Sequence, residues 1–227
     1  MNGSLQGNRI DGQHRRPLMD LHHATELRDG WVWPTDDRRC WRATMRHIHM
    51  PQDIMQHCTH KRVVVQAGGN CGVYAQLYAQ QFDAVYTFEP EPVNFYCLTQ
   101  NTVHDHNVHK IQSFLGQGTE HTQSMHNPAD QQSETNSGMF TRDHQWGVIP
   151  VLAIDQLGLT HCDLIHLDVE GGEPDALQGA EHTICTHRPM ICVEWFQHRD
   201  QLTALLTEWG YHTIGLAGGT DMMWVHG

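Results

Sequence analysis

The sequence is poor in lysine and contains no long apolar run. Only Lys61 and Lys110 are lysines; the chain has 14 basic against 26 acidic residues and a formal net charge of −12 with histidine neutral. Proteins that bind duplex nucleic acid need a cationic surface to neutralise phosphates, so no nucleic-acid partner is expected. No stretch approaches the roughly 18 apolar residues of a membrane span, and residues 1–20 contain no apolar signal segment. We therefore expect a cytoplasmic protein without a membrane partner.

Cysteine and histidine do not indicate a metal site by their spacing. The seven cysteines are odd in number and include no CxxC pair, which favours reduced thiols over disulfides. Histidines cluster at 47–49, 57–60 and 104–109, and the spacing within each cluster is compatible with metal ligands. Close pairs are expected by chance in a chain with 20 histidines. The sequence therefore predicts no bound metal.

The length of 227 residues is typical of one domain with a decorated N-terminus. Residues 1–60 are predicted to form an N-terminal arm or cap, because three tryptophans between positions 31 and 41 indicate a segment that packs on something. Residues 61–227 are predicted to form the main domain. A polar insertion, at about 117–147, interrupts that domain, and such long irregular segments are usually functional or mobile.

Strand-like and helix-like segments alternate from residue 62 onwards. A continuous β-branched run at 63–65 is typical of a strand buried on both faces. The alternation predicts an α/β fold, with a mostly parallel sheet, helices on both faces and an antiparallel terminal hairpin. Strands are predicted at 63–65, 84–88, 108–115, 149–154, 163–167, 190–194, 211–216 and 222–226, and helices at 51–60, 73–81, 93–102, 174–185 and 203–209.

The turn after the first of these strands is rich in glycine. It reads Ala67-Gly68-Gly69-Asn70-Cys71-Gly72. Glycines let the backbone pass close to a ligand, and the N–H groups at the start of the next helix face whatever lies there. Such turns also occur for packing alone, so this motif by itself leaves a ligand site open.

Glu89 follows the second strand, about 20 residues beyond the glycines. A carboxylate at this place can accept hydrogen bonds from both hydroxyls of a ribose. Together, the glycine turn and Glu89 predict a cofactor that contains ribose. They do not distinguish a nicotinamide-dependent dehydrogenase from a methyltransferase.

Three carboxylates follow the strand at 163–167, namely Asp168, Glu170 and Glu173. In open α/β sheets, ligands bind beyond the carboxyl ends of the strands. Asp168 and Glu170 are two residues apart and share a face if the strand continues. Clustered carboxylates are costly unless they bind a ligand, a cation or one another's protons. We therefore expect the second half of the site here.

With these motifs, the chain resembles the FkbM-type methyltransferases over about residues 62–200. The most specific block is Asp168-Val169-Glu170-Gly171-x-Glu173, which is followed by Gly179-Ala180 and Arg188-Pro189. The other matching blocks are 63–72, 87–92 with Asn101, 113–116, 136–138, 149–157 and 188–195.

The resemblance implies a Rossmann-like methyltransferase fold that transfers a methyl group from S-adenosylmethionine, usually to an oxygen. It implies that the glycine turn passes under the methionine and ribose, that Glu89 holds the ribose, and that the stretch from Ser113 lies near the adenine. The implied acceptor-side residues are Asp168, Glu170 and Glu194. The implied cofactor residues are Gln66, Gly68, Gly69, Asn70, Gly72, Glu89, Ser113 and Phe114.

The chain departs from the family pattern at two positions. Gln66 stands where the family favours an acidic residue, and its amide can hydrogen-bond but offers no charge to the cofactor. His166 stands where lysine is common. We expect Asp168 or Glu170 to supply a base, directly or by holding a cation. His166 is a weaker candidate because it lies deeper in the sheet.

The leading interpretation is an O-methyltransferase that acts on a small-molecule or glycan hydroxyl. One alternative is a catalytically silent binding module with the same fold, which Gln66 favours. A nicotinamide-dependent oxidoreductase is a second alternative, but it leaves the acidic block at 168–173 without a purpose. The sequence does not indicate the acceptor or the oligomeric state.

Overall fold

The computed structural model describes residues 24–119, 122–126, 138–139, 141–143 and 147–227. The predicted arm is therefore described only from residue 24. Most of the polar insertion, with positions 136 and 137 of the family-like segment, lies outside the described residues. Within the described ranges, no helix has the length and apolar character needed to cross a lipid bilayer.

The structure contains thirteen strands and seven α-helices within the described residues. The strands are β1 (Thr25–Arg28), β2 (Trp31–Pro34), β3 (Val63–Ala67), β4 (Ala84–Phe88), β5 (Val108–Ile111), β6 (Phe114–Leu115), β7 (Thr122–His126), β8 (Thr141–Asp143), β9 (Ile149–Leu152), β10 (Leu164–Leu167), β11 (Met190–Glu194), β12 (Tyr211–Ala217) and β13 (Asp221–His226). The helices are α1 (Arg39–Arg46), α2 (Met50–Met55), α3 (Val73–Ala79), α4 (Pro92–Asn101), α5 (Glu173–Gln178), α6 (Glu181–His187) and α7 (Arg199–Glu208), with a 3-10 helix at Ile154–Leu157.

The centre of the fold is a seven-stranded sheet in the order β12-β13-β11-β10-β3-β4-β5. Neighbours from β11 to β5 are parallel, whereas β13 is antiparallel to both β11 and β12. Strands β3 and β10 occupy the middle, and the chain winds outwards from them in both directions. The predicted α/β fold with a Rossmann-like parallel sheet and an antiparallel terminal hairpin is confirmed.

Helices cover both faces of this sheet. One face packs Ile165, Leu167 and Val193 against the buried side chains of α5 to α7. The other face packs Val64 and Leu164 with buried residues of α2 and α3. The central strands β3 and β10 are buried on both faces, as the continuous apolar run at the start of β3 predicts.

The predicted third strand, 108–115, was wrong as a single element. Residues 108–111 form β5 of the central sheet, and the Ser113 N–H then donates to the Ile111 carbonyl over 3.1 Å, which turns the chain. Residues 114–115 form β6 and pair with β9 in a separate four-stranded sheet, which also holds β7 and β8. The predicted strand 149–154 belongs to this second sheet and ends at residue 152.

The predicted helix 174–185 is two helices, α5 and α6, that meet at Gly179. A Cβ atom on Gly179 would lie 1.9 Å from the Gly116 carbonyl oxygen, so β6 and the helix break are in backbone contact. The Asp155 carboxylate accepts hydrogen bonds from the backbone N–H groups of His182 and Thr183, at 2.9 and 2.8 Å, and caps α6. The predicted helix 51–60 is also shorter, because α2 ends at Met55.

The tryptophan-rich segment packs on α4 through β2. Trp33 is fully buried and its Nε1–H donates to Asp37 Oδ2 over 2.8 Å. Asn101 at the end of α4 extends β2 like a neighbouring strand. Its Nδ2 donates to the Val32 carbonyl, and its Oδ1 accepts from the Val32 N–H, at 2.9 and 2.8 Å. The expectation that this segment packs against the rest of the chain is confirmed for Trp33.

We predict that Trp33→Ala destabilises the protein by about 3–5 kcal/mol, because truncation of a buried aromatic leaves a cavity and deprives Asp37 of a partner. Urea denaturation measures this change in the free energy of unfolding. Leu27→Ala is the control, since Leu27 is 74% exposed, and we expect it to be neutral. A loss below about 1 kcal/mol in Trp33→Ala would show that β2 contributes little to stability.

Candidate active site

A cavity of about 310 Å³ opens at the carboxyl ends of the central strands. Its walls come from the turn after β3, the ends of β4, β10 and β11, the start of β13, and α1. The family resemblance implies eleven site residues, and the described lining of the cavity includes all of them but Gly72. These are Gln66, Gly68, Gly69, Asn70, Glu89, Ser113, Phe114, Asp168, Glu170 and Glu194.

The glycine turn is packed too closely to carry side chains. Gly68 has φ +78°, and a Cβ atom there would lie 1.9 Å from the Asp168 carbonyl oxygen. A Cβ atom on Gly69 would lie 2.8 Å from Thr87 Oγ1. The turn is therefore held in backbone contact with the end of β10. Gly72 instead precedes α3 with φ +88° and packs near Leu98 of α4, outside the cavity lining.

Glu89 and the glycine turn are joined by hydrogen bonds. The Asn70 N–H donates to Glu89 Oε2 over 2.6 Å, and the Glu91 N–H donates to Glu89 Oε1 over 2.8 Å. Burial raises the pKa of the Glu89 carboxyl group to about 8, although these two backbone donors act in the opposite direction. Asn70 itself has φ +43°, a left-handed conformation that asparagine tolerates. The carboxylate is thus fixed at the tip of β4, beside the turn.

Gln66 holds the same turn from below. Its Nε2 donates to the Gly68 carbonyl over 2.9 Å, and its Oε1 accepts from Thr87 Oγ1 over 2.6 Å. A carboxylate at this position has no proton to donate to the Gly68 carbonyl when it is ionised. The departure from the family pattern therefore has a local role, which is to fix the peptide of Gly68.

Ser113 and Phe114 line the side of the cavity between β5 and β6. The Ser113 hydroxyl is buried and has no hydrogen-bond partner among the described residues. Buried polar atoms are nearly always paired, so an unpaired hydroxyl in a cavity wall suits a polar group of a ligand. The ring of Phe114 supplies an apolar surface next to it.

Three carboxylates concentrate at the opposite side of the cavity. The side chain of Asp168 is open to the cavity but lies deep in the protein, and burial, then the charges of Asp221 and Glu194, raise its pKa well above the ordinary value. Burial and then Glu173 raise the pKa of Glu170 to about 7. Burial, followed by Glu170 and Glu173, raises the pKa of Glu194 to about 7. Among the described lining residues there is no lysine or arginine, so this region attracts cations.

Glu173 is the member of the acidic block that the structure turns away from the cavity lining. It is fully buried, and its Oε1 accepts from the backbone N–H groups of Val169 and Gly171, at 2.9 and 3.3 Å. These bonds close the turn that carries Glu170, whose φ is +52°. Glu173 therefore fixes the backbone of the turn that places Glu170 in the cavity wall, without lining the cavity itself.

Sequence reasoning missed Asp221, which enters the cavity from the start of β13. The antiparallel register of β13 with β11 places Asp221 opposite Glu194. His166 Nε2 lies 3.1 Å from Asp221 Oδ2, and His166 Nδ1 lies 2.9 Å from the Tyr78 hydroxyl. The Tyr74 ring stacks on the imidazole with centroids 5.9 Å apart. Nothing in the spacing of these residues along the chain signals that they meet.

One group of potential metal ligands occurs in the described part of the chain. It consists of His166, Cys192 and Asp221, all buried. The histidine clusters at 47–49, 57–60 and 104–109, considered from the sequence, do not form such a group among the described residues.

We predict that Glu194→Gln stabilises the protein at pH 8 and has little effect at pH 4.5. The folded-state pKa of Glu194, about 7, lies above its ordinary 4.5, so the folded state binds the proton more tightly. Stability is therefore lost as the pH rises from about 4.5 to about 7, and the neutral amide avoids this loss. After allowance for solvent screening we expect a gain of about 1–2 kcal/mol at pH 8.

Urea denaturation at the two pH values measures this effect, with the exposed Glu208→Gln as the matched control. An equal change in stability at both pH values would contradict the assignment, since it could not arise from ionisation of Glu194.

Comparison with known proteins agrees with the blocks found in the sequence. The methyltransferase FkbM domain matches residues 66–213, well over half of the chain. A comparison with curated proteins gave no match.

Similar solved structures include three methyltransferases. The FkbM methyltransferase from Methylobacillus flagellatus KT is 18% identical, with a TM-score of 0.49 over 72% of this chain, and this chain spans 43% of its length. A SAM-dependent methyltransferase from Aquifex aeolicus has 8% identity and a TM-score of 0.44, over 84% of this chain and 93% of the other. Magnesium protoporphyrin IX methyltransferase from Synechocystis PCC 6803, with bound SAM, has 10% identity and a TM-score of 0.46, over 82% and 80%.

At TM-scores below 0.5 these three likenesses carry no conclusion, and the fold rests on the strand order described above. The family rests on the match over residues 66–213, which includes the glycine turn, Glu89 and the acidic block. The chain belongs to the FkbM methyltransferase family.

Proposed function

We propose that the chain binds S-adenosylmethionine in this cavity and methylates a hydroxyl group of a small molecule or glycan. The observation that carries the proposal is the pairing of two features in one cavity. One is Glu89 with its glycine turn, and the other is the acidic side around Asp168. A ribose-bearing cofactor with a cationic sulfonium matches both.

The residues present fit the cofactor on three counts. Gly68 and Gly69 line the cavity with backbone, because close packing against neighbouring strands leaves no room for side chains there. The Glu89 carboxylate lies at the strand end where a ribose diol is bound. The unpaired Ser113 hydroxyl offers a hydrogen bond next to the apolar surface of Phe114. When bound, S-adenosylmethionine supplies a methyl group on a sulfonium centre for in-line transfer to a nucleophile.

The proposed part of the protein in this transfer is alignment, exclusion of water and removal of a proton. Alignment accounts for much of the rate in such displacements. The acceptor hydroxyl must lose its proton, and a general base works best with a pKa near the working pH. Glu170 and Glu194, each with a pKa of about 7, meet that condition. Asp168 is the third candidate base, because its side chain is the one most open to the cavity.

We further propose that residues 1–60 act as a cap over the transfer site and that residues 61–227 carry the chemistry. Cys40, Thr44 and His47 of the α1 region line the cavity, as does Met139 from the polar insertion. We infer that these segments form the walls around the acceptor and thereby determine which acceptor binds. A cytoplasmic location also stays a prediction.

The charge of the cavity bears on the acceptor and on the rival cofactor. An anionic acceptor would face Asp168, Glu170 and Glu194 without a compensating lysine or arginine among the described lining residues. This favours a neutral or cationic acceptor and disfavours the phosphates of nucleic acid. It equally disfavours a nicotinamide dinucleotide, whose pyrophosphate carries negative charge. The silent binding module remains the alternative that an activity measurement separates.

We predict that Asp168→Asn lowers methyl transfer by about 10²-fold or more, because removal of a general base typically costs 10²–10⁴-fold. Binding of S-adenosylmethionine should weaken by less than about tenfold, since Glu89 and the glycine turn are unchanged. Transfer is measured as S-adenosylhomocysteine released with a low-molecular-weight metabolite extract as the source of acceptors. Calorimetric titration measures binding.

Asp200→Asn, at an exposed position on α7, is the control and should match the wild type in both measurements. Unchanged turnover in Asp168→Asn would remove Asp168 from the mechanism. Cofactor binding by the wild type without turnover on any extract fraction would favour the silent module.

A further inference from the structure

Three buried side chains of different chemistry meet on one face of the central sheet. His166 of β10 is the register partner of Cys192 of β11, so their side chains point to the same side. Cys192 in turn pairs with Met223 of β13, and Asp221 lies two residues before Met223, on the same face. The three, hereafter the triad, are each at most 3% exposed.

The ligand atoms of the triad are spaced for a small ion. The Cys192 sulfur, one imidazole nitrogen and one carboxylate oxygen lie within 4.8 Å of one another. His166 Nε2 and Asp221 Oδ2 are 3.1 Å apart. Tetrahedral zinc with nitrogen and oxygen ligands at about 2.0–2.1 Å holds these two atoms about 3.3 Å apart. The pair therefore has nearly the required separation, and Cys192 completes the set by moving inwards.

His166 and Asp221 are each oriented by a hydrogen bond to the side-chain atom that does not face the other residue. The Tyr78 hydroxyl lies 2.9 Å from His166 Nδ1, and Thr220 Oγ1 donates to Asp221 Oδ1 over 2.6 Å. These contacts leave Nε2 and Oδ2 facing each other. Metal-binding histidines usually have such a partner on the second nitrogen, which fixes the ring and its tautomer.

The surroundings of the triad favour a cation and leave it accessible. His166 and Asp221 line the cavity, so a fourth coordination position would open into it. The carboxyl groups of Asp168 and Glu194 lie close to Asp221, and a bound cation would favour their ionised forms. Three protein ligands with one open position are the arrangement of catalytic rather than structural zinc sites.

In the ion-free protein the triad holds protons instead. Burial, and then the charges of Asp221 and Cys58, raise the pKa of the Cys192 thiol well above its ordinary value, so the thiol stays protonated. The hydrogen bond between His166 and Asp221 contains a second proton. Coordination needs a thiolate and a free Nε2 lone pair. The thiol proton would leave to solvent, and the imidazole would carry its proton on Nδ1, next to Tyr78, so that Nε2 is free to coordinate.

We propose that His166, Cys192 and Asp221 bind one zinc ion, with a fourth position open to the cavity. Imidazole and thiolate ligands select zinc over magnesium or calcium, which prefer oxygen. The ion replaces the proton between His166 and Asp221 and offsets the charge of the neighbouring carboxylates. If the proposed methyl transfer is correct, the open position would take the acceptor oxygen; the metal site itself does not rest on that function.

The test is a calorimetric titration of chelator-treated full-length protein with zinc chloride, carried out in two buffers that differ in their heat of ionisation. We expect one tight site per chain and proton release on binding. Cobalt(II) in place of zinc should give a thiolate-to-cobalt charge-transfer absorption. Cys192→Ser should abolish this absorption and weaken zinc binding by at least about 100-fold, while Tyr78→Phe should weaken it by about 10–100-fold.

Cys162→Ser is the matched control, since Cys162 is a buried thiol outside the triad, and it should bind zinc like the wild type. Asp221→Asn provides a second loss-of-ligand variant, and thermal denaturation of each variant shows that it is folded. Weak binding at several sites, or equal affinity in Cys192→Ser and the wild type, overturns the proposal and assigns the ions to surface histidines. Titration with S-adenosylmethionine is a separate measurement, so failure of the metal site leaves the proposed function testable.

Discussion

The backbone contact between Gly68 and Asp168 is the constraint on which the site depends. Because β3 and β10 are parallel neighbours, the turn that leaves β3 must pass directly over the end of β10. A Cβ atom at Gly68 would meet the Asp168 carbonyl oxygen at 1.9 Å, so glycine alone permits this approach. The Asp168 N–H also donates to the Ala67 carbonyl over 3.1 Å. The glycine turn and the acidic block thereby become two walls of one cavity.

The charge of that cavity explains several features together. Asp168, Glu170 and Glu194 are partly withdrawn from water and close to one another, and each has a raised pKa. Such an arrangement costs stability unless a cation or shared protons offset it. A sulfonium cofactor and the proposed zinc ion are both cationic, and either would relieve this repulsion. The structure therefore favours ligand binding at the expense of stability in the empty protein.

Sequence patterns sufficed to place the cavity-lining residues that lie next to strand ends. The separation between the glycine turn and Glu89 has a simple cause, since β3 and β4 are parallel neighbours joined by one helix. Asp168 and Glu170 could be placed for the same reason. The hydrogen bonds of Gln66 could not be foreseen in detail, because they depend on Thr87 in the adjacent strand.

The residues that escaped prediction depend on long-range register or on backbone contact. Asp221 reaches the cavity only through the antiparallel pairing of β13 with β11, and no local pattern encodes that pairing. The helix break at Gly179 follows from contact with Gly116, which comes directly after β6 of the second sheet. The division of residues 108–115 into two strands likewise depends on which sheet each half joins. Periodicity reports the type of an element, but not its partners.

The most direct test of the central claim is calorimetric titration of the full-length protein with S-adenosylmethionine and with NADH, for the wild type and Glu89→Gln. The account predicts one site for S-adenosylmethionine and no binding of NADH. It also predicts that Glu89→Gln lowers the affinity for S-adenosylmethionine by at least about tenfold, because hydrogen bonds from the ribose hydroxyls are lost. Binding of NADH, or S-adenosylmethionine affinity that is unchanged in a folded Glu89→Gln variant, would contradict it.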